Sequence, residues 1–560
     1  MSLAEEIKGF FEGDVQDDGA TLSTYSHDAS LFEVRPQVVV FPKHAADISR
    51  LVKFVAEKKS AGSAGSVDTD AQKLSISVRA AGSCMSGGSL NESIIVDVTK
   101  YMNGIKRLVK DEAVVLPGTF YRDFEVETLK IDSILPCYTA SKNLCALGGM
   151  IGNNCGGEKT LQYGKMEDYI KELRVIFADG NEYTVKPLSK EELNAKIAQG
   201  DFEGNIYKNI FELIQTHESE LATAKPKVSK NSAGYYLWNV WNKETGVFDL
   251  TKVIVGSQGT LGIVTEATLK LVPVKSISKL LVIFMPSLNG LGDVVNEILA
   301  AKPESVESYD DQTMKMALKF MPEMLRSMKT GNFLKLMFGF LPETRMVLTG
   351  GIPKLILLAE FAGNDDQVLG HIVNNLENQI KTKFASLKLK TRAVHSASDA
   401  EKYWTIRRES FNLLRKHVRG MRTAPFIDDV VVRPEVLPEF LPKMRAILDK
   451  HKLIYTIAGH AGNGNFHIIP LMDMKQGSNR DLVRIVSDEV FDLVLGLKGS
   501  ITGEHNDGIV RTPYLEKMFG SSITSLFAQT KNIFDPVTLF NPGKKVGGSI
   551  EYMESHIASV

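Results

Sequence analysis

The stretch RAAGSCMSGG, residues 79–88, determines how the first half of the chain is interpreted. It follows a predicted strand, and its small residues allow several backbone N–H groups to converge on an anion. The stretch has neither the G-x-G-x-x-G spacing nor the Lys-Ser/Thr ending of a P-loop, so it indicates neither a Rossmann site nor a P-loop. On its own, an ordinary turn explains it equally well.

Two further small-residue segments strengthen the case for a cofactor. They are PCYTASKNLCALGGMIGNNCGG at 136–157 and GSQGTLGIVTEA at 256–267. Each lies beside a predicted strand, and three such segments together are typical of a long diphosphate cofactor that passes between sheets. We therefore expect a nucleotide-containing cofactor in the first half of the chain.

Length and composition exclude several classes of protein. At 560 residues the chain is too long for a single core and corresponds to roughly three or four domain-sized units. A formal net charge of −1 gives no argument for a nucleic-acid partner or an anionic membrane. No apolar run approaches about 18 residues, and the acidic N-terminus lacks an apolar signal region, so we expect no spanning helix and no secretory signal.

The cysteines argue against a metal cluster of thiolates. Cys84, Cys137, Cys145 and Cys155 form no CxxC pair, and their spacing fits neither a zinc ribbon nor an iron–sulfur cluster. We therefore expect reduced thiols in a cytoplasmic protein, with peripheral contact at the inner membrane surface left open.

The predicted elements favour an α+β fold with a boundary near residue 274. Before it, strands and helices are mixed without strict βαβ alternation, and Asp179-Gly180 predicts a hairpin. After it, repeated strand–helix patterns suggest a ferredoxin-like domain. The expected units are an N-terminal segment at 1–35, a cofactor domain at 36–273, a substrate domain at 274–530 and a C-terminal segment at 531–560.

Two other segments have ambiguous patterns. The run SAGSAGSVDTDA at 60–71 is small and polar, which predicts a mobile surface loop. Residues 314–350 are rich in methionine and phenylalanine. We favour a helical insertion packed on the domain over a segment that faces a partner or a membrane.

The stretch HAGNGNFH at 460–467 carries two histidines separated by residues that form turns. Gly462 and Gly464 disfavour a helix, and on a continuous strand positions seven apart face opposite sides. Both histidines can therefore reach one ion only if the intervening residues turn the chain. Glu504 in GEH offers a third ligand. From the residues alone, ordinary loop or core histidines remain the favoured interpretation.

Seven motifs occur in an order that resembles the FAD-linked oxidases of the vanillyl-alcohol-oxidase type. They are RAAGSCMSGG, ALGGMIGNNCGG, QYGKMEDYI, GSQGTLGIVTEA, HAGNGNFH, GEHNDG and FDPVTLFNPGK, spread over residues 36–546. The resemblance is to the branch of D-lactate, D-2-hydroxyglutarate and glycolate dehydrogenases. It implies a two-subdomain PCMH-type FAD-binding domain, a ferredoxin-like α+β substrate (cap) domain and a C-terminal segment that returns to the flavin.

The resemblance also implies which residues contact FAD. The pyrophosphate group would be held by Arg79, Ala80, Ala81, Gly82, Ser83, Cys84, Ser86, Gly87 and Gly88. The flavin ring and ribityl chain would contact Pro136, Ser141, Gly148, Gly149, Asn153 and Asn541, and the adenine would contact Ile263. Ala80, Ala81 and Cys84 stand where glycine is common, and Gln258 replaces a usual glutamate. The loop has no histidine that could attach the flavin, so we expect FAD to be non-covalent.

The same resemblance implies a divalent metal held by His460, His467 and Glu504, with zinc expected and iron or manganese as alternatives. Asn463 stands where the family usually has aspartate. His505, with an intrinsic pKa of about 6.5, is the expected base. Arg407 in YWTIRRES is the expected carboxylate clamp, with Arg408 as the alternative surface charge, and Tyr235 is expected to line the substrate pocket. Asp507 and Arg511 either support the site or simply form an ion pair.

The expected reaction is oxidation of a D-2-hydroxy acid to the 2-oxo acid, with hydride transfer to flavin N5 and metal-assisted loss of the hydroxyl proton. The alternatives are an alkyl-transferring or alcohol-oxidising flavoenzyme of the same fold, or a non-redox nucleotide- or metal-binding module. Because the chain carries no iron–sulfur motif, we expect a separate electron acceptor: a quinone, an electron-transfer flavoprotein, an iron–sulfur partner or O₂. The oligomeric state is not predicted.

Overall fold

The computed structural model describes residues 2–63, 69–319, 351–394, 396, 399–407 and 420–559. Most of the methionine- and phenylalanine-rich segment, residues 320–350, lies outside these, as does Arg408. Within the described ranges, helices and three main sheets are mixed, and the α+β prediction is confirmed. No helix in this part of the chain is long and apolar enough to cross a membrane.

The first sheet has the order β1-β2-β4-β3, with β2, β3 and β4 parallel and β1 antiparallel at one edge. The helix α3 follows β2, and its apolar residues Ile48, Leu51, Val52 and Val55 are fully buried. The elements are β1 (Asp14–Gln16), β2 (Val38–Phe41), β3 (Ile76–Arg79), β4 (Ile94–Asp97), α1 (Leu3–Lys8), α2 (Gly19–Tyr25), α3 (Ala45–Ser63) and α4 (Thr69–Lys73). Both ends of the predicted loop at 60–71 are therefore helical, which corrects that expectation.

The second sheet is antiparallel, with the order β5-β6-β12-β8-β9. Its strands are β5 (Ile105–Val109), β6 (Glu112–Val115), β8 (Ile170–Ile176), β9 (Glu182–Val185) and β12 (Ile263–Lys270). The hairpin predicted across Asp179-Gly180 joins β8 to β9. Two small ribbons pair β7 (Ser133–Ile134) with β13 (Val272–Pro273) and β10 (Trp241–Asn242) with β11 (Val247–Phe248).

Seven described helices lie between β6 and β12 in the chain: α5 (Tyr121–Leu129), α6 (Leu147–Asn153), α7 (Thr160–Tyr163), α8 (Lys190–Ala198), α9 (Phe202–Thr216), α10 (Glu218–Ala224) and α11 (Thr251–Ile254). The apolar run VIV at 253–255, directly before GSQGTLGIVTEA, begins inside α11 and not in a strand. A short apolar run such as this one has no periodicity that separates a buried helix from a strand. The turn that follows α11 leads directly into β12.

The third sheet begins with a ferredoxin-like unit, which confirms that prediction. Its elements run β14 (Ile277–Met285), α12 (Leu291–Ala300), β15 (Ser305–Asp310), β16 (Leu355–Gly363), α14 (Asp366–Lys383) and β17 (Lys390–Val394). The strand order β17-β14-β16-β15 is that of two interleaved βαβ units. The helix α13 (Asp311–Lys319) follows β15.

Further antiparallel strands extend this sheet beyond β15. They are β18 (Arg422–Thr423), β19 (Val430–Val431), β20 (Ile454–His460) and β21 (Asn465–Met472), in the order β15-β20-β21-β18 with β19 also beside β21. The helices α15 (Leu437–Lys450) and α16 (Gly477–Gly496) precede β20 and follow β21. This extension places the histidine stretch at the end of the β20–β21 hairpin.

The C-terminal part of the chain returns to the first sheet. After α17 (Gly508–Arg511), α18 (Leu515–Phe534, kinked at Gly520) and before α19 (Ile550–Ser555), residues 539–541 lie beside Ile76 of β3. Ile76 N–H donates to Leu539, and Asn541 N–H donates to Ile76. The last segment therefore fixes the edge of β3, the strand that leads into the small-residue loop.

Candidate functional site

A cavity of about 370 Å³ lies between the small-residue loop, the first turn of α6 and the turn before β12. That volume falls in the usual range for ligand sites of about 300–1,000 Å³. Ten residues expected to contact FAD line it: Ala80, Ala81, Gly82, Ser83, Cys84, Gly88, Ser141, Gly148, Gly149 and Asn153. The wall is therefore made mainly of backbone and small side chains, which suits an elongated cofactor.

Two glycines in α6 show why small residues are needed here. A Cβ on Gly148 would lie 2.8 Å from the carbonyl oxygen of Pro117, so this turn of α6 can approach the neighbouring chain only with glycine. A Cβ on Gly149 would meet only the Cβ of Ala80, at 3.5 Å. Gly149 therefore borders open space inside the cavity, which a larger side chain would fill.

Six of the expected cofactor residues do not line this cavity: Arg79, Ser86, Gly87, Pro136, Ile263 and Asn541. Arg79 turns away, because its Nη1 donates to the carbonyl of His27 at 2.7 Å and its guanidinium lies over the Tyr25 ring. Asn541 instead joins two wall segments from behind. Its Nδ2 donates to the carbonyls of Gly88 and Gln258, at 2.8 and 2.7 Å.

The two histidines of HAGNGNFH lie on one face of the β20–β21 hairpin. His460 pairs with Asn465 and His467 pairs with Ala458, so the histidines are diagonal neighbours across the pair. The turn between the strands requires glycine at position 464, where φ is +64° and a Cβ would lie 1.8 Å from the carbonyl oxygen of Val432. The residues between the two histidines therefore turn the chain, as the sequence predicted.

Glu504 completes a triangle with these histidines. The Nε2 atoms of His460 and His467 are 3.3 Å apart, and Glu504 Oε1 lies 3.3 Å from the first and 3.4 Å from the second. Tetrahedral ligands on zinc bonds of about 2.0–2.1 Å are about 3.3–3.4 Å from one another. The three atoms therefore match the spacing needed to bind one divalent ion, and the donor set of two imidazoles and a carboxylate suits zinc, iron or manganese.

Asp429 fixes the turn that carries Glu504 and His505. Its Oδ2 accepts the backbone N–H groups of residues 503, 504 and 505, at 2.8, 2.8 and 2.7 Å. Asp429 also offers an oxygen within 4.8 Å of ligand atoms of His467, Glu504 and His505. Because its oxygens are already occupied by hydrogen bonds, we interpret Asp429 as the residue that shapes the turn and not as a ligand.

Asp428 contacts two histidines at once. One oxygen lies 3.1 Å from His467 Nδ1 and the other 2.8 Å from His505 Nδ1, and the two imidazole rings are stacked 5.1 Å apart. Burial disfavours the charge on His467, but Asp428 and Glu504 outweigh it and raise its pKa to about 10. For His505, burial is likewise outweighed, by Asp428 and Asp429, so its pKa is raised.

Glu307 on β15 links His460 to the expected carboxylate clamp. Its Oε1 lies 2.5 Å from His460 Nδ1, and its Oε2 forms an ion pair with Arg407. Burial disfavours the charge on Glu307, but Arg407 and His460 outweigh it and lower its pKa to about 2. Arg407 is thus adjacent to the histidine cluster, although it does not line the cavity itself.

The other expected site residues have structural surroundings. Tyr235 is buried in a hydrophobic core, with its hydroxyl 2.7 Å from that of Thr260, and it does not line the cavity. Asp507 pairs with Lys545 at 2.9 Å, and Arg511 donates to the backbone carbonyls of Asn506 and Asp428. The side chains of Asp507 and Arg511 therefore do not pair with each other, and each has its own partner.

Four residues around the cluster were not predicted from the sequence: Lys230, Glu307, Asp428 and Asp429. A signal existed for the aspartates, because two adjacent carboxylates interrupt the apolar stretch PFIDDVVV. Lys230 lies in KNSAGYY at 230–236, a segment in which only Tyr235 was predicted to line the substrate pocket. Glu307 in SVESYD had no distinguishing pattern, since only the sheet register brings it to His460.

The chain matches two sequence families. Residues 275–545 match the family described as FAD linked oxidases, C-terminal domain, and residues 36–186 match the family described as FAD binding domain. The second match contains most of the residues that line the cavity, including those of the small-residue loop and α6. The match supports FAD binding by the part of the chain that supplies most of the cavity wall.

Similar proteins include two named hydroxy-acid enzymes. The chain is 27% identical over 539 residues to D-2-hydroxyglutarate dehydrogenase of Escherichia coli (strain K12), with 95% of this chain and 50% of that protein covered. It is 26% identical over 537 residues to glycolate oxidase subunit GlcD of Bacillus subtilis (strain 168), with 94% and 93% covered. The chain spans about half the length of the D-2-hydroxyglutarate dehydrogenases that it matches.

Solved structures with the same fold share little sequence with this chain. 4-Ethylphenol oxidase from Gulosibacter chungangensis superposes with a TM-score of 0.66 at 14% identity, covering 98% of this chain and 97% of that one. Alkyldihydroxyacetonephosphate synthase gives a TM-score of 0.63 at 15% identity, covering 96% and 84%. These similarities establish the architecture alone.

Proposed function

The chain belongs to the FAD-linked oxidases, and from this premise we propose that it oxidises a D-2-hydroxy acid to the 2-oxo acid. The observation that carries the proposal is the position of the histidine–carboxylate cluster. Glu504, His467 and His505 all line the FAD cavity, so groups that bind a cation and accept a proton border the same space as the cofactor. Metal-assisted oxidation of an alcohol beside a carboxylate uses a hydride acceptor, a proton acceptor and a cation that acidifies the hydroxyl.

FAD, bound without a covalent link, supplies a two-electron acceptor for the hydride from the α-carbon. The chain contributes a close-fitting wall around it. Backbone and small side chains from residues 80–84 and from α6 leave room for the cofactor, and Asn541 holds two wall segments together.

We propose that His460 Nε2, His467 Nε2 and Glu504 Oε1 hold a divalent cation, with zinc favoured and iron or manganese as alternatives. A cation held there supplies Lewis acidity, which lowers the pKa of a coordinated hydroxyl. The chain orients the two imidazoles through carboxylates: Glu307 accepts from His460 Nδ1 and Asp428 from His467 Nδ1. Partners of this kind fix the tautomer that leaves Nε2 free for a metal.

His505 is proposed to accept the hydroxyl proton at Nε2. Its Nδ1 faces Asp428 at 2.8 Å, so the imidazolium formed by proton transfer is stabilised by a buried carboxylate. The raised pKa of His505 favours the imidazolium that forms when the proton is transferred. Before the reaction, a cation bound next to His505 would repel that positive charge and favour the neutral imidazole. Asp428 thereby supports both a cation ligand and the base.

Arg407 is proposed to bind the substrate carboxylate. Its Nη2 is paired with Glu307, whereas its buried Nε makes no hydrogen bond within the described residues. The unpaired N–H next to the cluster can donate to a carboxylate oxygen. Tyr235, buried behind the cavity, has no part in this proposal.

The substrate class follows the named relatives, among them D-2-hydroxyglutarate dehydrogenases, D-lactate dehydrogenases and a glycolate oxidase subunit. Electrons are proposed to leave to a separate acceptor, such as a quinone, an electron-transfer flavoprotein or an iron–sulfur partner, in the cytoplasm or at the inner membrane surface. An alkyl-transferring or phenol-oxidising reaction is less favoured, because those structural neighbours support the fold alone.

The proposal is tested by anaerobic reduction of the purified yellow protein. D-lactate, D-2-hydroxyglutarate and glycolate are mixed with it in turn, beside the L-enantiomers of the first two, and flavin bleaching is followed by absorbance. We expect bleaching with at least one of the D-acids or glycolate and much slower bleaching with the L-forms. An oxidised flavin that persists with every acid would contradict the proposal, as would a colourless protein that does not take up FAD.

A further inference from the structure

We propose that Lys230 positions Glu504 for cation binding by occupying one of its two carboxylate oxygens. This inference rests on the proposed cation site but adds a residue that is neither a ligand nor a base. Lys230 Nζ lies 2.9 Å from Glu504 Oε2, whereas Oε1 is the oxygen that faces His460 and His467. The lysine therefore divides the carboxylate into one occupied oxygen and one available oxygen.

All three N–H donors of Lys230 have acceptors inside the protein. Its side chain is fully buried, and a lysine ammonium has three N–H donors. The three acceptors are Glu504 Oε2 at 2.9 Å, Asn465 Oδ1 at 3.3 Å and the carbonyl oxygen of Gly157 at 3.3 Å. With every donor engaged and no contact with the cavity, Lys230 acts through Glu504 and does not bind substrate itself.

The same contacts connect Lys230 to the turn that carries Glu504. Asn465, which accepts from Lys230, donates through Nδ2 to Asp429 at 2.9 Å. Asp429 in turn accepts the N–H groups of the turn at 503–505. The orientation of the Glu504 side chain and that of its backbone are thus set by one continuous hydrogen-bond network.

The contact with Lys230 limits how Glu504 can coordinate a cation. A carboxylate with both oxygens free can bind a metal through either one or both of them. With Oε2 held by Lys230, Glu504 offers only Oε1, which favours the low coordination number typical of zinc and leaves a position for substrate. Loss of the ammonium group would release Oε2 and alter both the affinity and the geometry of the site.

A second buried pair in the same region provides a matched control. Lys545 Nζ lies 2.9 Å from Asp507 Oδ2, and both side chains are fully buried. Lys545→Met therefore removes a lysine–carboxylate pair with the same distance and burial, but leaves Glu504 and its partners in place. A general loss of stability affects both variants, whereas loss of Glu504 positioning affects only Lys230→Met.

The experiment uses the FAD-loaded full chain, stripped of metal with a chelator. The Kd for Zn²⁺ is measured by competition with a fluorescent chelator in the unaltered protein, Lys230→Met, Lys230→Gln and Lys545→Met. We expect Lys230→Met to raise the Kd by about 10–100-fold, the size typical of losing a group that orients a ligand. Lys230→Gln, which retains an N–H donor without charge, should fall between, and Lys545→Met should change the Kd by less than about 3-fold.

A spectroscopic measurement separates positioning from a structural effect. Co²⁺ replaces Zn²⁺, and its d–d bands are recorded at wavelengths beyond the flavin absorption. We expect Lys230→Met to weaken these bands, as coordination by both oxygens of Glu504 raises the coordination number, and Lys545→Met to leave them unchanged.

Each result has a distinct meaning. If Lys230→Met and the unaltered protein bind Zn²⁺ equally and give the same Co²⁺ bands, the role of Lys230 is wrong while the cation site stands. If the unaltered protein binds neither ion, the cation site and this inference both fail. If Lys230→Met does not fold, Lys230→Gln decides the question. A Kd for Zn²⁺ in Lys230→Gln equal to that of the unaltered protein would overturn the inference.

Discussion

The FAD cavity and the histidine–carboxylate cluster meet at one wall but are built on opposite physical principles. The cavity is formed by backbone and small side chains from a few short stretches of sequence, such as residues 80–84 and 148–149. The cluster is formed by large charged side chains that come from β15, the β20–β21 hairpin and the turn at 503–505. The first region provides space, whereas the second provides charge and directed lone pairs.

This difference predicts how each region fails. Space is lost when a side chain is added, and every function that depends on the cofactor disappears with it. Charge and lone pairs are lost when a side chain is removed, and then the cofactor remains while chemistry stops. Substitutions that enlarge a side chain in the cavity wall, or that truncate a side chain in the cluster, therefore test whether the two regions fail independently.

The largest effect is expected from Gly149→Leu. The added side chain extends into the cavity next to Ala80, so the protein should be purified colourless, with FAD affinity reduced by at least about 100-fold. Gly149→Ala is the control, because a Cβ there meets only ordinary contact at 3.5 Å. Flavin content is measured by absorbance after denaturation. A yellow Gly149→Leu protein would show that FAD lies elsewhere.

The next largest effect is expected from His460→Ala. This histidine does not line the cavity, so FAD should bind normally, while Zn²⁺ binding is lost and flavin reduction slows by about 10³-fold. His451→Ala removes a histidine–glutamate contact of 3.0 Å on the same domain and should leave both unchanged. Stopped-flow absorbance and metal analysis of the same samples provide the comparison. Native reduction without bound metal would rule out a role for the triangle.

A smaller loss is expected from His505→Ala, which removes the proposed proton acceptor but none of the three cation ligands. Flavin reduction should slow by about 10²-fold, with Zn²⁺ and FAD still bound. His556→Ala, which removes a histidine of similar exposure paired with Glu92, serves as the control. If reduction by the substrate proceeds at the native rate, a group other than His505 accepts the proton.

The smallest effect is expected from Tyr235→Phe. The tyrosine hydroxyl bonds to Thr260 inside the core, so its loss should lower the free energy of unfolding by about 1 kcal/mol. The rate of flavin reduction and the KM for substrate should be unchanged. Urea unfolding and steady-state kinetics measure the two quantities. A large rise in KM without loss of stability would indicate that Tyr235 contacts the substrate.

The two regions also differ in how far the sequence predicts them. The small-residue loop, α6 and the turn before β12 were predicted as cofactor segments because glycine-rich stretches beside strands have a local signature. The contribution of individual residues was less predictable: Arg79 and Asn541 lie in the right segments, but their side chains point to backbone carbonyls behind the wall. Direction depends on packing that a local pattern does not encode.

For the cluster, the sequence predicted candidate ligands but not the groups that orient them. His460, His467 and Glu504 belong to recognisable motifs. Glu307 and Asp428 do not, because they reach the histidines only through strand register and a turn. The ferredoxin-like unit was predicted from periodicity, although β15, which carries Glu307, is too short and polar to be recognised as a strand.

Metal depletion of the FAD-loaded protein tests most directly whether the two regions act together on one substrate. A chelator removes the cation, flavin absorbance confirms that FAD remains, and anaerobic bleaching by a D-2-hydroxy acid is followed before and after one equivalent of Zn²⁺ or Mn²⁺ is added. We predict that bleaching stops in the depleted protein and returns with the ion. Bleaching at the native rate in protein that analysis shows to be free of metal would contradict the account.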